Sequence, residues 1–192
     1  NTYNTHYIHD EHIEKLGANC SMGIQKEGQG MGTAAKIIAV VAQKGGTGKT
    51  ATAAAIGAAL RERGKRVLFV DMDAQANLTT IVTGYTETKN SIADVLSGQI
   101  RATDCITPTS QGDIIPASDW LIGLSIPVDA LRRSLEPLRA GYDYIVIDCG
   151  PTLGALTANV LTAADWLIVP VHADIHALGM LRQLMDSIEA AR

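Results

Sequence analysis

The sequence is poor in cysteine and in aromatic residues, and it carries no excess of positive charge. Its 3 cysteines, Cys20, Cys105 and Cys149, lie far apart, which argues against a disulfide framework and predicts a reducing, cytoplasmic setting. Aromatic residues make up 4% of the 192 residues, too few for a surface on which nucleic-acid bases stack. Because the net charge is −4, contact with DNA would need a local basic patch. The longest apolar runs, such as IIAVVA, are far too short to span a bilayer.

What the sequence does contain is a regular alternation of strand and helix patterns from residue 36 onward. Short apolar runs predict buried parallel strands, and longer Ala- and Leu-rich stretches predict helices. The predicted strands are 36–42, 66–73, 112–118, 142–150 and 164–171, and the predicted helices are 49–64, 91–98, 127–142 and 154–164. Ser91 is the predicted N-cap of the second helix, and Pro137 is predicted to interrupt or kink the third. The alternation predicts an α/β fold: an open, mostly parallel twisted sheet with helices on both faces.

The two ends of the sequence differ in character from its middle. Residues 1–30 are polar, rich in His and Gly and without a sustained apolar period, so we expect a poorly structured N-terminal extension. Residues 31–192 form the predicted folded domain. Because the last segment stops inside a helical pattern without a capping Gly, we expect the C-terminal part of this domain to be missing.

The stretch KGGTGKT, residues 44–50, lies between the first predicted strand and the first predicted helix. Gly48, Lys49 and Thr50 match the end of a phosphate-binding P-loop, although Gln43 holds the position of its leading Gly. The glycines let backbone amides approach phosphate oxygens at a helix N-terminus. In this interpretation Lys49 neutralises the β- and γ-phosphates and the Thr50 hydroxyl ligates Mg²⁺. The alternative is a Gly-rich turn with a solvated lysine.

Lys44 is a second lysine in the same loop. Because Lys49 already takes the inward position, Lys44 is predicted to point away from its own nucleotide and to reach one held by another subunit. That arrangement would make it a lysine counterpart of an arginine finger supplied in trans. The alternative is an ordinary surface lysine.

Three aspartates follow predicted strands. Asp71 and Asp73 leave the second strand on the same side of the chain, at the sheet edge where ligands bind, and the alternative for them is a solvated turn. Asp148 ends the apolar strand YIVI, where a carboxylate holds Mg²⁺ directly or through water; the alternative is a strand-terminating cap. The loop 150–152 after it is suited to sensing a γ-phosphate.

Three stretches resemble the ParA/MinD class of P-loop ATPases. KGGTGKT is similar to the deviant Walker A motif of that class, whose signature is the extra lysine. KRVLFVDMDAQANLTT resembles the second-strand motif of the ParA (Soj-like) partition branch, and YDYIVIDCGPTLGALTANVL resembles its Walker B and second switch region. The resemblance runs from about Lys36 to the end of the chain.

The resemblance implies an ATPase that uses ATP and Mg²⁺, dimerises on ATP, binds DNA non-specifically and is stimulated by a ParB-like partner during plasmid or chromosome partition. It implies a cytoplasmic, nucleoid-associated protein without a membrane partner. Asp73 aligns with the aspartate that positions the attacking water, while Asp71 supports either the magnesium water shell or the local structure. The implied catalytic residues are Lys44, Lys49 and Asp73. The implied nucleotide-binding residues are Lys44, Gly45, Gly46, Thr47, Gly48, Lys49, Thr50 and Ala51, and the implied metal-binding residues are Thr50, Asp148 and, more weakly, Asp71.

Three positions depart from the pattern of that class. Ala51 stands where a Thr is usual, and Ala74 and Gly150 stand where prolines are usual. The first change removes a hydroxyl that would contact the α-phosphate, and the change at Gly150 is expected to loosen the switch. None of the three removes a reactive group.

Two other functions remain open on this sequence. A MinD-like membrane-positioning ATPase would share the chemistry but needs a C-terminal amphipathic helix, which is not visible. A nucleotide-sensing binding module with little hydrolysis is favoured by Ala51 and opposed by the intact Lys49, Asp73 and Asp148. A separate hypothesis is metal binding by His6, His9 and His12, whose spacing suits one helix face.

Overall fold

The β-sheet carries the fold, and its order places the predicted site. The computed structural model describes residues 34–85, 87–151 and 154–171, and residues 179, 182, 185 and 186. The strands are β1 (Lys36–Val40), β2 (Val67–Met72), β3 (Asp113–Ile115), β4 (Tyr144–Cys149) and β5 (Trp166–Ile168). All pairs are parallel, in the order β3-β2-β4-β1-β5. Since β1, β4 and β2 are neighbours, the segments that follow them meet at one edge of the sheet.

Six helices are present in the described residues. They are α1 (Lys49–Glu62), α2 (Asn77–Thr83), α3 (Ile92–Leu96), α4 (Ala102–Cys105), α5 (Ala130–Leu135) and α6 (Ala155–Ala163). Two short 3₁₀ helices cover Asp119–Leu121 and Glu136–Leu138. None of the helices in the described part of the chain is both long and apolar enough to cross a membrane.

The two faces of the sheet are buried by different helices, as the α/β prediction requires. Strand β2 shows the alternation: Val67 and Phe69 join a cluster with residues of α1 and α2, whereas Leu68 and Val70 join a larger cluster with residues of α3, α5 and α6. Successive side chains of a strand point to opposite faces, so a fully apolar strand needs cover on both. The predicted open parallel sheet with helices on both faces is confirmed.

Helix α1 approaches the sheet closely because Gly57 has no side chain. Gly57 is buried, and a Cβ atom at this position would overlap the ring of Phe69 in β2. Helix α1 packs against β4 as well as against β1. The phosphate-binding loop is therefore fixed at its helical end by packing in the core.

Some predicted boundaries need correction. The predicted helix 127–142 begins only at Ala130 and ends at Leu135, but its predicted interruption near Pro137 is confirmed, because the chain continues there as the 3₁₀ helix Glu136–Leu138. Strand β5 is shorter than predicted, and α2 and α4 were not predicted at all. The prediction for Ser91 is confirmed: its backbone N–H and hydroxyl both donate to Asp94 Oδ2, at 2.7 and 2.9 Å.

Every described residue belongs to the unit formed by residues 33–192. The predicted domain organisation therefore stays a prediction. The hypothesis of metal binding by His6, His9 and His12 falls outside the described residues.

Candidate nucleotide-binding site

The loop of residues 44–50 turns sharply from β1 into α1. Gly46 and Gly48 have φ angles of 73° and 85°, in the left-handed region that favours glycine. Gly48 is the N-cap of α1, and its carbonyl accepts the first helical hydrogen bond from Thr52 N at 2.9 Å. The four N–H groups of the first helical turn have no partners within the helix, so they present donors to an anion.

The two lysines of the loop occupy different environments. Lys49 is 7% exposed, and its Nζ donates to the carbonyl oxygen of Lys44 at 3.3 Å. The Thr47 hydroxyl donates to the same carbonyl at 3.2 Å. Lys44 itself is exposed at the start of the loop. The inward position of Lys49 and the outer position of Lys44 are those that the sequence hypothesis needs; their roles toward a nucleotide remain predictions.

Asp148 is a buried carboxylate that has no hydrogen-bond partner among the described residues. It lies near the end of β4, paired in register with Val40 of β1 on one side and Asp71 of β2 on the other. The residue is 1% exposed, and neither of its carboxylate oxygens has a partner among the described residues. Burial, together with the negative charges of Asp71 and Asp73, raises the pKa of Asp148 to about 7.

The surroundings of Asp148 fit a magnesium ion. The Thr50 hydroxyl interacts weakly with the Asp148 carboxylate and, together with the Lys49 ammonium, opposes the rise in its pKa, although neither carboxylate oxygen has a hydrogen bond of full geometry. Mg²⁺ prefers oxygen ligands and keeps several waters, so one carboxylate and one hydroxyl beside a phosphate site suffice. No group of three or more His, Cys, Asp or Glu side chains forms a protein-only metal cage in the residues that the structure describes.

Asp71 is also buried, but its carboxylate is occupied. Its Oδ1 accepts from the backbone N–H of Asp73 at 3.1 Å, and its Oδ2 accepts from the backbone N–H and the hydroxyl of Thr79, both at 2.8 Å. Burial raises the pKa of Asp71 to about 6, although these hydrogen bonds oppose the rise. Of the two roles that the sequence left open for Asp71, this geometry favours support of the local structure.

Asp73 lies in the turn that follows β2 and contacts the segment after β4. Its Oδ1 accepts from the backbone N–H of Gln75 at 3.1 Å, and it is half-buried. A Cβ atom at Gly150 would lie 3.5 Å from Asp73 Cγ, which is ordinary contact distance. The turn after β2 and the predicted switch segment after β4 therefore meet at Asp73. Gly150 N also donates to Met72 O at 3.4 Å, a bond that the proline usual at this position cannot make. Of the predicted sensing loop 150–152, Thr152 lies outside the described residues.

Sequence reasoning missed Thr79 and Ala76. Thr79 is fully buried, and its hydroxyl also accepts from the backbone N–H of Ala117 at 3.0 Å. Ala76 has a φ of 51°, a left-handed conformation that alanine rarely adopts. The stretch DAQANLTT contains both, but no pattern in the sequence shows which of its polar side chains turns inward.

Comparison with known proteins assigns the family. The family model described as AAA domain matches residues 35–192. The sporulation initiation inhibitor protein Soj of Bacillus subtilis (strain 168) is 40% identical over 163 residues, which are 80% of this chain and 64% of that protein. The chain belongs to this AAA-domain family, and its resemblance to the ParA/Soj-like proteins is confirmed. It spans less than two thirds of the length of the curated relatives it matches first.

Two solved structures share the fold. Cobyrinic acid a,c-diamide synthase from Mycobacterium smegmatis, with bound ADP and magnesium, superposes with a TM-score of 0.76 at 37% identity, over 81% of this chain and 67% of that one. A putative plasmid partition protein from Borrelia burgdorferi B31, bound to AMPPNP, superposes with a TM-score of 0.73 at 32% identity, over 81% of this chain and 69% of that one. The P-loop fold is thus confirmed.

Proposed function

We propose that this chain carries the nucleotide-binding site of an ATPase that acts in plasmid or chromosome partition. The observation that supports this function best is the unpartnered carboxylate of Asp148, buried beside Lys49 and Thr50. A structural carboxylate usually has donors around it, whereas neither oxygen of Asp148 has a hydrogen-bond partner of full geometry among the described residues. The bound ADP and magnesium in the first related structure and the bound AMPPNP in the second support the same assignment.

Each group of the site has a distinct task in this proposal. The backbone amides at Gly46 and Gly48 and the ammonium of Lys49 hold the β- and γ-phosphates. Thr50 and Asp148 would hold Mg²⁺, which bridges phosphate oxygens and neutralises their charge when it is bound. Asp73 orients the attacking water. The position of the Asp73 side chain is set by the turn at 73–76 and by the segment at Gly150.

The state of assembly follows from Lys44. As an exposed cation at the start of the loop, Lys44 is proposed to reach the nucleotide of a second subunit, so ATP binding and dimerisation are linked. The dimer is proposed to bind DNA non-specifically, to be stimulated by a ParB-like protein and to act in the cytoplasm on the nucleoid. These last assignments rest on the relatives alone.

ATP binding is tested by changing Lys49 and comparing it with a lysine outside the site. Lys49→Ala should weaken ATP affinity by roughly 100-fold or more, because no other charge in the loop replaces it. Lys65→Ala changes an exposed lysine beyond the end of α1 and should leave the affinity within about twofold. Calorimetry with Mg²⁺ measures both, and equal affinity of wild type and Lys49→Ala would remove the assignment.

The role of Lys44 is tested by mixing two inactive proteins. Lys44→Ala should keep ATP binding through Lys49 but lose hydrolysis by about 10³-fold or more, as expected for a cation supplied in trans. A heterodimer of Lys44→Ala and Lys49→Ala pairs the intact Lys49 of the first protein with the intact Lys44 of the second. Recovery of phosphate release on mixing supports the action in trans; heterodimers without recovery count against it.

Phosphate release also separates the alternative functions. Tight ATP binding without turnover, alone and with DNA, would favour the nucleotide-sensing module. Binding to anionic vesicles in place of DNA would favour a MinD-like membrane ATPase.

A further inference from the structure

Two buried residues that are hydrogen-bonded to each other lie next to the turn that carries Asp73. Asp71 and Thr79, here called the Asp71–Thr79 pair, are both fully buried. Thr79 donates twice to Asp71 Oδ2, from its backbone N–H and from its hydroxyl, each at 2.8 Å. The hydroxyl in turn accepts from the backbone N–H of Ala117 at 3.0 Å, so the pair is also anchored beyond the end of β3.

The pair joins the two ends of the turn that carries Asp73. At the start of the turn, Asp71 Oδ1 accepts from the backbone N–H of Asp73 at 3.1 Å. At its end, Asp71 Oδ2 holds Thr79 in the first turn of α2. The helix needs this, because its N-cap is Ala76, which has no side-chain acceptor for the first helical N–H groups. Asp71 therefore caps α2 from a neighbouring strand.

The turn between these two anchors is strained. Ala76 lies in its middle with a φ of 51°, and it is the one non-glycine residue with positive φ in the described part of the chain. A left-handed alanine persists only where the surrounding structure holds it. The hydrogen bonds of the Asp71–Thr79 pair fix the chain on both sides of Ala76.

We propose that Asp71 and Thr79 are positioning residues that hold the Asp73 carboxylate in place to orient the attacking water. This inference rests on the proposed ATPase function. None of the side-chain hydrogen bonds of the pair in the described residues goes to the loop 44–50, so the pair acts on turnover through Asp73 and leaves nucleotide binding alone. If the pair only stabilised the fold, its loss would not lower turnover more than it lowers nucleotide binding.

The test uses two substitutions of Thr79 in the full-length protein. Thr79→Val keeps the shape but removes the hydroxyl, which takes one donor from Asp71 and the acceptor from Ala117 N. We expect kcat for phosphate release to fall at least about tenfold while the Kd for ATP stays within about twofold, because a hydrogen bond to a charged group is lost behind Asp73. Thr79→Ser keeps the hydroxyl and should restore kcat to within about threefold of wild type.

A structural role is separated from a positioning role by repeating Thr79→Val in an Asp73→Ala background. If the pair acts through Asp73, the second change should cost less than about twofold there. A loss as large as in the wild-type background would overturn the inference.

Asp71→Asn is the second variant, used if Thr79→Val does not fold. Its amide brings a donor toward the Thr79 N–H, so kcat should again fall while ATP binding persists.

The outcomes distinguish this inference from the proposed function. No ATP turnover by the wild-type protein, with its partner and DNA present, would overturn the proposed function and this inference with it. Wild-type turnover together with unchanged kcat in Thr79→Val would overturn the inference alone.

Discussion

Asp71 and Asp148 are neighbours across the β2–β4 pair, and both are buried aspartates whose pKa is raised by burial. They differ in their partners. Asp71 accepts three hydrogen bonds, from Asp73 and Thr79, whereas Asp148 accepts none from the described residues. A buried carboxylate without donors is costly for the folded state, so its presence indicates a ligand.

The difference separates a structural acid from a binding acid at one edge of one sheet. Both carboxylate oxygens of Asp71 accept hydrogen bonds from the turn that carries Asp73 and from the helix that follows it, and these bonds fix the conformation of the turn. In the proposed function, Asp148 keeps both oxygens for a cation that arrives with a nucleotide. Functional sites commonly lower stability in this way, because the groups that bind the ligand lack partners before it arrives.

The largest expected effect is on turnover. Asp148→Asn should lower ATP hydrolysis by about 10³-fold, since a metal at this kind of site contributes several kcal/mol of charge stabilisation. Asp119→Asn changes an exposed acid outside the site and should leave the rate unchanged. Steady-state phosphate release with Mg²⁺ measures both, and a fully active Asp148→Asn would break the distinction between the two acids.

The next effect is a dependence of stability on pH. Asp148 has a pKa of about 7 in the folded protein and an ordinary value of 3.8, so the unfolded state loses its proton first. The contribution of Asp148 to the free energy of unfolding is therefore fully present below about pH 4. It is lost as the pH rises to about 7, which lowers the free energy of unfolding by about 2 to 4 kcal/mol. Asp71, with a pKa of about 6, acts in the same direction.

Urea denaturation from pH 4 to pH 8, without Mg²⁺ or nucleotide, measures this loss. Asp148→Asn should flatten the decline because the titrating group is gone. A wild-type curve that matches the Asp148→Asn curve would mean that the Asp148 carboxylate is not held in an unfavourable environment.

The smallest effect concerns the strained turn beside Asp71. Ala76→Gly should stabilise the protein by about 1 kcal/mol, because glycine adopts the left-handed conformation without the steric cost that alanine has. Ala74→Gly is the matched control in the same turn: its φ is not positive, so glycine brings no relief there. Thermal unfolding compares the two, and an equal shift in Tm for both would show that the strain at Ala76 is not what is relieved.

Much of the sheet was predictable, because its main strands are continuous apolar runs that match no other element. The helix α2 was not, since five of its seven residues are β-branched and its N-cap is an alanine, which gives neither a helical pattern nor a cap signal. Its cap comes from Asp71 in β2, a contact that depends on the tertiary fold.

The candidate site shows the same division. The loop 44–50 and the three aspartates are visible as a motif and as strand-end acids, because the motif fixes residue types at fixed spacing. Which aspartate turns toward Thr79 and which is left without donors depends on strand register and on the path of the turn after β2. Neither is encoded in local sequence pattern.

The most direct test of the distinction is the sign of two stability changes. Asp148→Asn and Asp71→Asn are isosteric substitutions of neighbouring buried acids, and the free energy of unfolding is measured for both at pH 8 without Mg²⁺ or nucleotide. We expect Asp148→Asn to be more stable than wild type by about 1 to 3 kcal/mol, because an unpartnered charge is removed. Asp71→Asn should be less stable by about 2 to 3 kcal/mol, because its carboxylate accepts three hydrogen bonds and their loss outweighs the relief of its buried charge. Loss of stability in both variants would contradict the account.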